Sequence, residues 1–91
     1  MSSRTDLAVV IPAWNERENL ELLLPALRET LESLGASWEI VVVDGGSSDG
    51  TREVAVQRGA RVVCQVERGF GGALLAGFAG TRAPFIVTMD A

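Results

Sequence analysis

Leu7-Ala8-Val9-Val10-Ile11-Pro12-Ala13-Trp14-Asn15-Glu16 is an apolar, β-branched run that breaks at a proline into a short polar segment. An unbroken apolar run of this length predicts a strand covered on both faces, as parallel sheets require. Pro12 is expected to end it. Asn15, with Glu18 three residues on, has the pattern of a capping box, so a helix is expected to begin there. Leu20, Leu23, Leu24, Leu27, Leu31 and Leu34 follow at helical spacing and make one apolar stripe. Pro25 removes a backbone donor inside that helix and predicts a kink. Gly35 suits its C-terminal cap.

The same alternation continues down the chain. Residues 39–43 read as a second buried strand, closed by Asp44. Gly45-Gly46-Ser47-Ser48-Asp49-Gly50 is a turn in which Ser47 or Ser48 is placed to cap a short helix ending near Arg58 and Gly59. Residues 61–66 read as a third strand. Arg68-Gly69-Phe70-Gly71-Gly72 reads as a glycine loop, and residues 73–81 as a helix. Gly77 and Gly80 inside that helix each cost about 1 kcal/mol against Ala, which points to close approach between helix and sheet. Residues 85–89 read as a fourth strand, with Asp90 at its carboxyl end. Strand and helix alternating in this way predict an α/β fold with right-handed crossovers, a parallel four-stranded sheet and helices on both faces.

Composition narrows the function classes. The 91 residues make one domain at most, and 47% hydrophobic content supplies a core. Net charge is −4, all eight basic residues are Arg and they are scattered, so no nucleic-acid stripe exists. The lone Cys64 lies in an apolar run and is expected to be a buried, inert thiol. One Cys with no His cannot make a zinc site. No stretch approaches the roughly 20 apolar residues of a membrane span.

In parallel α/β sheets ligands bind beyond the carboxyl ends of the strands. Pro12, Ala13, Trp14, Asn15 and Glu16 gather there after the first strand, Asp44 after the second and Asp90 after the fourth. Each has a plain structural reading: Trp14 as core, Glu16 as a favourable charge at a helix start, Asp44 as turn chemistry, Asp90 as a chain end. Rival nucleotide folds fit poorly. The loop after the first strand has no glycine where a dinucleotide-binding domain needs G-x-G-x-x-G, and a Walker A loop needs a Lys that the chain lacks. These residues by themselves indicate a nucleotide-binding α/β domain.

Four segments in order then resemble the family 2 glycosyltransferases. Val9-Val10-Ile11-Pro12-Ala13-Trp14-Asn15-Glu16 resembles their V-V-I-P-x-[YW]-N-E strand. Val43-Asp44-Gly45-Gly46-Ser47-Ser48-Asp49-Gly50-Thr51 resembles V-D-D-G-S-x-D-x-T, with Gly45 in place of the second Asp. Arg68-Gly69-Phe70-Gly71-Gly72-Ala73-Leu74-Leu75-Ala76-Gly77-Phe78 resembles their Arg-Gly-aromatic-Gly loop and helix, most like the dolichol- and polyprenyl-phosphate hexosyltransferases. Val87-Thr88-Met89-Asp90-Ala91 resembles the approach to the metal motif D-A-D.

The resemblance implies a Rossmann-like GT-A half with strand order 3-2-1-4, a disordered N-terminus over 1–6 and a truncated glycosyltransferase domain over 7–91. It implies inverting transfer of a hexose from a GDP-mannose or UDP-glucose type donor to an acceptor such as a polyprenyl phosphate. Pro12, Ala13 and Trp14 would line the nucleoside pocket, with Glu16 near the ribose or base and Asp44 on the nucleoside. Asp90 would serve both the nucleotide and a bound Mg²⁺ or Mn²⁺. No catalytic base is assignable within the chain. A cytoplasmic location, at the membrane face for a lipid acceptor, is the corresponding expectation. So is self-association through the fourth strand, an exposed edge. A non-catalytic nucleotide-binding module and a nucleotidyltransferase are the alternatives.

Overall fold

The computed structural model describes residues 5–65 and 69–91. Along it run β1 (Leu7–Ala13), α1 (Arg17–Glu32), β2 (Trp38–Asp44), α2 (Thr51–Gln57), β3 (Arg61–Cys64), α3 (Gly69–Ala79) and β4 (Phe85–Thr88). All four strands are parallel and lie in the order β3-β2-β1-β4. This is the expected α/β architecture and strand order.

Strand side chains alternate between faces, and the two sets enter two cores. Val9, Ile11, Ala13, Ile40 and Val42 pack with Leu20, Leu24 and Leu31 of α1 and with Val54 and Ala55 of α2. Val10, Val41 and Val43 turn to the other face and meet Ala73 of α3. Each fully buried Val, Leu or Ile contributes about 1.5–3 kcal/mol relative to exposure, so the central pair β1 and β2 anchors both layers.

Several local expectations are corrected. Pro12 does not end β1, which continues to Ala13 with Pro12 opposite Val43. Val10 accepts from Met89 N on the β4 side, while Ala13 accepts from Gly45 N on the β2 side. By that alternation the missing N–H of Pro12 faces the β4 side, where the ladder stops after the bond from Met89 N to Val10 O, so the β2 side of β1 keeps its pairing to Ala13. Asn15 does not cap α1. The helix starts at Arg17 after Glu16, with no side-chain cap of its own, and Pro25 lies inside it as expected. Leu34 lies past its end and is exposed. Neither Ser47 nor Ser48 caps α2; its N-cap is Gly50 at φ 95°, a left-handed conformation that glycine adopts without strain.

The third strand was expected to reach Val66, which lies outside the described residues, as does Arg68 of the glycine loop. Cys64 is exposed rather than buried, because β3 is a short strand at the sheet edge with neighbours on one side only. Helix α3 begins at Gly69, so Gly71 and Gly72 belong to its first turn instead of to a loop. Gly77 does mark close approach: a Cβ there would overlap Val10 Cγ1, and one at Gly80 would lie 2.9 Å from Val63 Cγ2. Residues 1–4 of the N-terminal segment expected to be disordered are outside the described residues. Asp6 donates its N–H to Ser37 O and accepts from Phe85 N.

Candidate functional site

The register brings the candidate residues to one edge of the sheet. Ala13 stands opposite Asp44, and Val10 stands opposite Thr88, two residues before the exposed Asp90. Trp14 follows directly on β1 and is 64% exposed, so its core reading fails and an open ring face remains. Pro12 is half-buried, and Ala13 is buried in the core shared with α1 and α2. The carboxyl ends of β1, β2 and β4 therefore present an aromatic ring, a buried carboxylate and an exposed carboxylate.

Asp44 is 1% exposed. It shares the face of Ile40 and Val42, and so points toward α2. Its Oδ2 accepts from Gly46 N at 3.1 Å, from Ser47 N at 3.2 Å and from Arg52 Nη1 at 2.9 Å. Burial raises its pKa, but the bonds from Ser47, Gly46 and Arg52 together outweigh that, and the carboxyl is held below the ordinary range. The guanidinium of Arg52 is 45% exposed and Asp44 is not. The pair thus keeps an anion inside the fold with its counter-charge partly in water. Arg52 was not singled out from sequence; its place on the first turn of α2, one residue after Thr51, was the available signal.

A second set of bonds ties the β1–α1 turn to the β2–α2 turn. Asn15 N donates to Ser47 Oγ at 2.9 Å, and Asn15 Oδ1 accepts from Ser48 N at 2.9 Å. Glu16 N donates to Thr51 Oγ1 at 3.0 Å, and Arg17 N to Asp49 Oδ2 at 3.3 Å. Two of the orphan N–H groups that open α1, those of Glu16 and Arg17, are thereby satisfied from across the sheet edge, by Thr51 of α2 and by Asp49 of the turn before it. Asn15 sits at φ 52°, a region Asn tolerates better than most residues. Asp49 also accepts from Thr51 N and from the Thr51 hydroxyl; that hydroxyl bond leads the effects holding its pKa down. The Glu16 carboxylate accepts from Asn19 Nδ2 at 2.6 Å and is drawn back onto α1.

An open groove lies beside the first turns of α1, lined by Glu16, Glu18, Glu21 and Asp49 with Arg17. Four carboxylates against one guanidinium repel a diphosphate. Of the candidate residues Pro12, Ala13, Trp14, Glu16, Asp44 and Asp90, Glu16 alone lines this groove. For a divalent cation, Asp90 offers an exposed carboxylate oxygen, the hard ligand that Mg²⁺ and Mn²⁺ accept. Among the described residues no cluster of three or more His, Cys, Asp or Glu surrounds a cation position. A single carboxylate that leaves the remaining positions to diphosphate oxygens and water fits the usual mode of Mg²⁺ binding.

Comparison with known proteins gives concordant results. The undecaprenyl-phosphate 4-deoxy-4-formamido-L-arabinose transferase of Salmonella paratyphi B is 36% identical over 92 residues, covering 93% of this chain and 28% of that protein. The chain thus spans under a third of that relative's length. Glucosyl-3-phosphoglycerate synthase from Mycobacterium tuberculosis, solved with Mn²⁺, UDP and glucosyl-3-phosphoglycerate, superposes with a TM-score of 0.81 at 30% identity, over 94% of this chain and 33% of that one. Mannosyl-3-phosphoglycerate synthase from Rubrobacter xylanophilus superposes with a TM-score of 0.87 at 25% identity, over 96% and 30%. The sequence profile described as Glycosyl transferase family 2 matches residues 8–91. That match runs from the second residue of β1 to Ala91 and takes in every strand of the sheet, and the chain belongs to glycosyl transferase family 2.

Proposed function

We propose that this chain is the nucleotide-sugar-binding part of an inverting glycosyltransferase that moves a hexose from a nucleoside diphosphate to a phosphate-bearing acceptor of the polyprenyl-phosphate class. The observation that carries the reading is the exposed ring of Trp14 at the carboxyl edge of β1, beside the Asp44 turn and within reach of the edge that Asp90 closes. A ring so placed stacks a base, and base–aromatic stacking is worth about 1–3 kcal/mol. Pro12 and Ala13 form the wall below it. Asp44 fixes the β2–α2 turn and lies against the nucleoside. Asp90 holds Mg²⁺ or Mn²⁺, as the Mn²⁺ and Mg²⁺ complexes of the Mycobacterium tuberculosis synthase support. When bound, the cation neutralises the diphosphate that departs.

The reaction follows from that placement. An acceptor oxygen attacks the anomeric carbon from the face opposite the diphosphate. The bond from that carbon to the phosphate oxygen breaks, its electron pair leaves on the nucleoside diphosphate, and the configuration inverts. An acceptor phosphate oxygen is already anionic and carries no proton to remove, so a general base is not required; an alcohol acceptor would need one. The lipid acceptor is supported by the name of the Salmonella relative, an undecaprenyl-phosphate transferase. No helix among the described residues is long and apolar enough to cross a membrane. Work at the cytoplasmic face of a membrane is the setting that acceptor suggests.

The test is an amide NMR titration of the chain with UDP and with GDP, with and without Mg²⁺. Shifts centred on Trp14, Asp44 and Asp90 for one nucleotide support the reading and identify the base. A dispersed spectrum unmoved by both overturns it. Binding without turnover assigns this length of chain a binding role alone, and turnover of a nucleoside triphosphate in place of a sugar diphosphate makes it a nucleotidyltransferase.

A further inference from the structure

Trp14 is 64% exposed, so packing alone does not fix the direction of its ring. The peptide units on either side of its Cα do, and both are bonded to the same turn. On one side, Ala13 O accepts from Gly45 N at 2.9 Å. On the other, Asn15 N, which shares a rigid peptide plane with the Trp14 carbonyl, donates to Ser47 Oγ at 2.9 Å. Holding both planes sets the two soft backbone dihedrals of Trp14, and with them the line along which its side chain leaves the chain. The turn also lies close by: a Cβ on Gly45 would stand 3.6 Å from Trp14 Cβ.

Ser47 supplies the only side chain in that pair of bonds, and it is buried. A hydroxyl has one proton to give and lone pairs to receive. A lone pair takes the Asn15 N–H. The proton goes to Asp44: burial raises the pKa of that carboxyl, and the bond from the Ser47 side chain is the largest of the effects that bring it down. The Ser47 N–H donates to the same carboxylate, 3.2 Å from Oδ2. Asp44 thus holds Ser47, and Ser47 holds the peptide that follows Trp14. Gly45 comes next after Asp44, faces the opposite way and leaves room for Trp14 beside the turn.

We propose that Ser47 is a positioning residue for nucleotide binding, whose hydroxyl holds the Trp14–Asn15 peptide and so keeps the Trp14 ring presented to the base. The inference rests on the nucleotide-sugar reading above. Ser47 acts through the ring: a ring already held in its binding direction reduces the ordering cost of the complex. The bonds from Ser48 N to Asn15 Oδ1 and from Glu16 N to Thr51 Oγ1 do not involve the hydroxyl. Ser47→Ala therefore leaves the two turns docked and frees the Trp14–Asn15 peptide between them.

Amide relaxation measurements and calorimetric titration with UDP and GDP, in the presence of Mg²⁺, test this on the native chain and Ser47→Ala. In the native chain the Trp14 and Asn15 amides should have order parameters of about 0.85, as rigid backbone does, in spite of the exposed ring. In Ser47→Ala they should fall toward about 0.6 or broaden by exchange, and the preferred nucleotide should bind about three- to tenfold more weakly. A hydroxyl that only stabilised the fold would lower the melting temperature and leave the affinity unchanged; that result overturns the proposal and leaves the nucleotide site standing. Weaker binding with both amides still rigid overturns it too, because the effect then passes through Asp44 and not through Trp14. If Ser47→Ala does not fold, the native order parameters decide: values below about 0.6 overturn the proposal and values near 0.85 support it. A native chain that binds neither nucleotide overturns the nucleotide reading and this inference with it.

Discussion

Asn15 and Ser48 are joined across the sheet edge: the Asn15 side-chain oxygen accepts the Ser48 N–H at 2.9 Å, while the Asn15 backbone stands at φ 52°. One residue thus supplies both the left-handed turn that leads from β1 to α1 and the bond that holds the β2–α2 turn against it. Asn15→Ala removes the bond and strains the backbone, at an expected cost of about 2–3 kcal/mol. Asn15→Gly relieves the strain but not the lost bond and should cost about 1 kcal/mol. Urea denaturation of the two variants distinguishes them, and equal losses would count against the backbone part of the argument.

Asp44 links stability to pH. Its folded pKa lies below the unfolded value of about 3.9, so the folded state binds fewer protons in that range. The stability it supplies is complete above roughly pH 4 and is lost as pH falls through the folded value. Asp44→Asn should cost about 2 kcal/mol at neutral pH, because Arg52 loses its counter-charge and is only half in water. The variant should also lose much of the acid sensitivity that sets in below roughly pH 4. Melting temperatures of both proteins across that range check the sign.

Gly77 and Val10 set how closely α3 lies on the sheet. Alanine favours a helix over glycine by about 1 kcal/mol, yet a Cβ at Gly77 overlaps Val10 Cγ1 and lies 3.3 Å from Val43 Cγ2. Overpacking should prevail, and Gly77→Ala should destabilise by about 1–3 kcal/mol. Combining it with Val10→Ala should cost less than the sum of the two single changes. Additive losses in a denaturation cycle would show that the overlap is absorbed elsewhere.

Ligand binding separates the ring from the carboxylate. Trp14→Ala should weaken binding of the preferred nucleotide by about 1–3 kcal/mol with or without Mg²⁺. Asp90→Ala should leave metal-free binding unchanged and remove the gain from Mg²⁺ or Mn²⁺. Both side chains are exposed, so neither change should alter the melting temperature by more than a few degrees. Titrations of the two variants with and without the cation provide the comparison.

The free edge of β4 presents Phe85 and Val87, which are 70% and 50% exposed. An apolar strand edge of this kind pairs with other chains, and the 91-residue chain is expected to self-associate with rising concentration. Val87→Lys should reduce that association, as edge lysines do. Sedimentation velocity over a concentration series is the measurement, and a concentration-independent monomer would refute the expectation.

The sheet was legible because its signals are additive along the chain. Apolar β-branched runs at Val9–Ile11 and Val41–Val43 belong to buried strands whatever their neighbours do, and the β-α alternation leaves little choice of architecture. The errors cluster where a residue's partner lies far away in sequence. Asn15 carries the local pattern of a cap, but its oxygen goes to Ser48, and the true caps of α1 come from Thr51 and Asp49, more than 30 residues on. Ser47 likewise serves Asn15 rather than α2. Cys64 was misjudged because an apolar run does not reveal whether its strand is central or at an edge. At the site, Trp14, Asp44 and Asp90 were visible as residues at strand ends. Arg52 was not, since its bond to Asp44 forms only when β2 and α2 are assembled.

The opposed directions of Asp44 and Gly45 divide labour within one peptide unit. The side chain that holds the turn together enters the α2 face, and the glycine next to it sends no side chain to the other. A side chain introduced at residue 45 would meet Gln65 and Trp14 while the Asp44–Arg52 pair stays in place on the other face. The surface beside Trp14 can be altered in such a scaffold by one substitution while the pair that holds the β2–α2 turn is left alone.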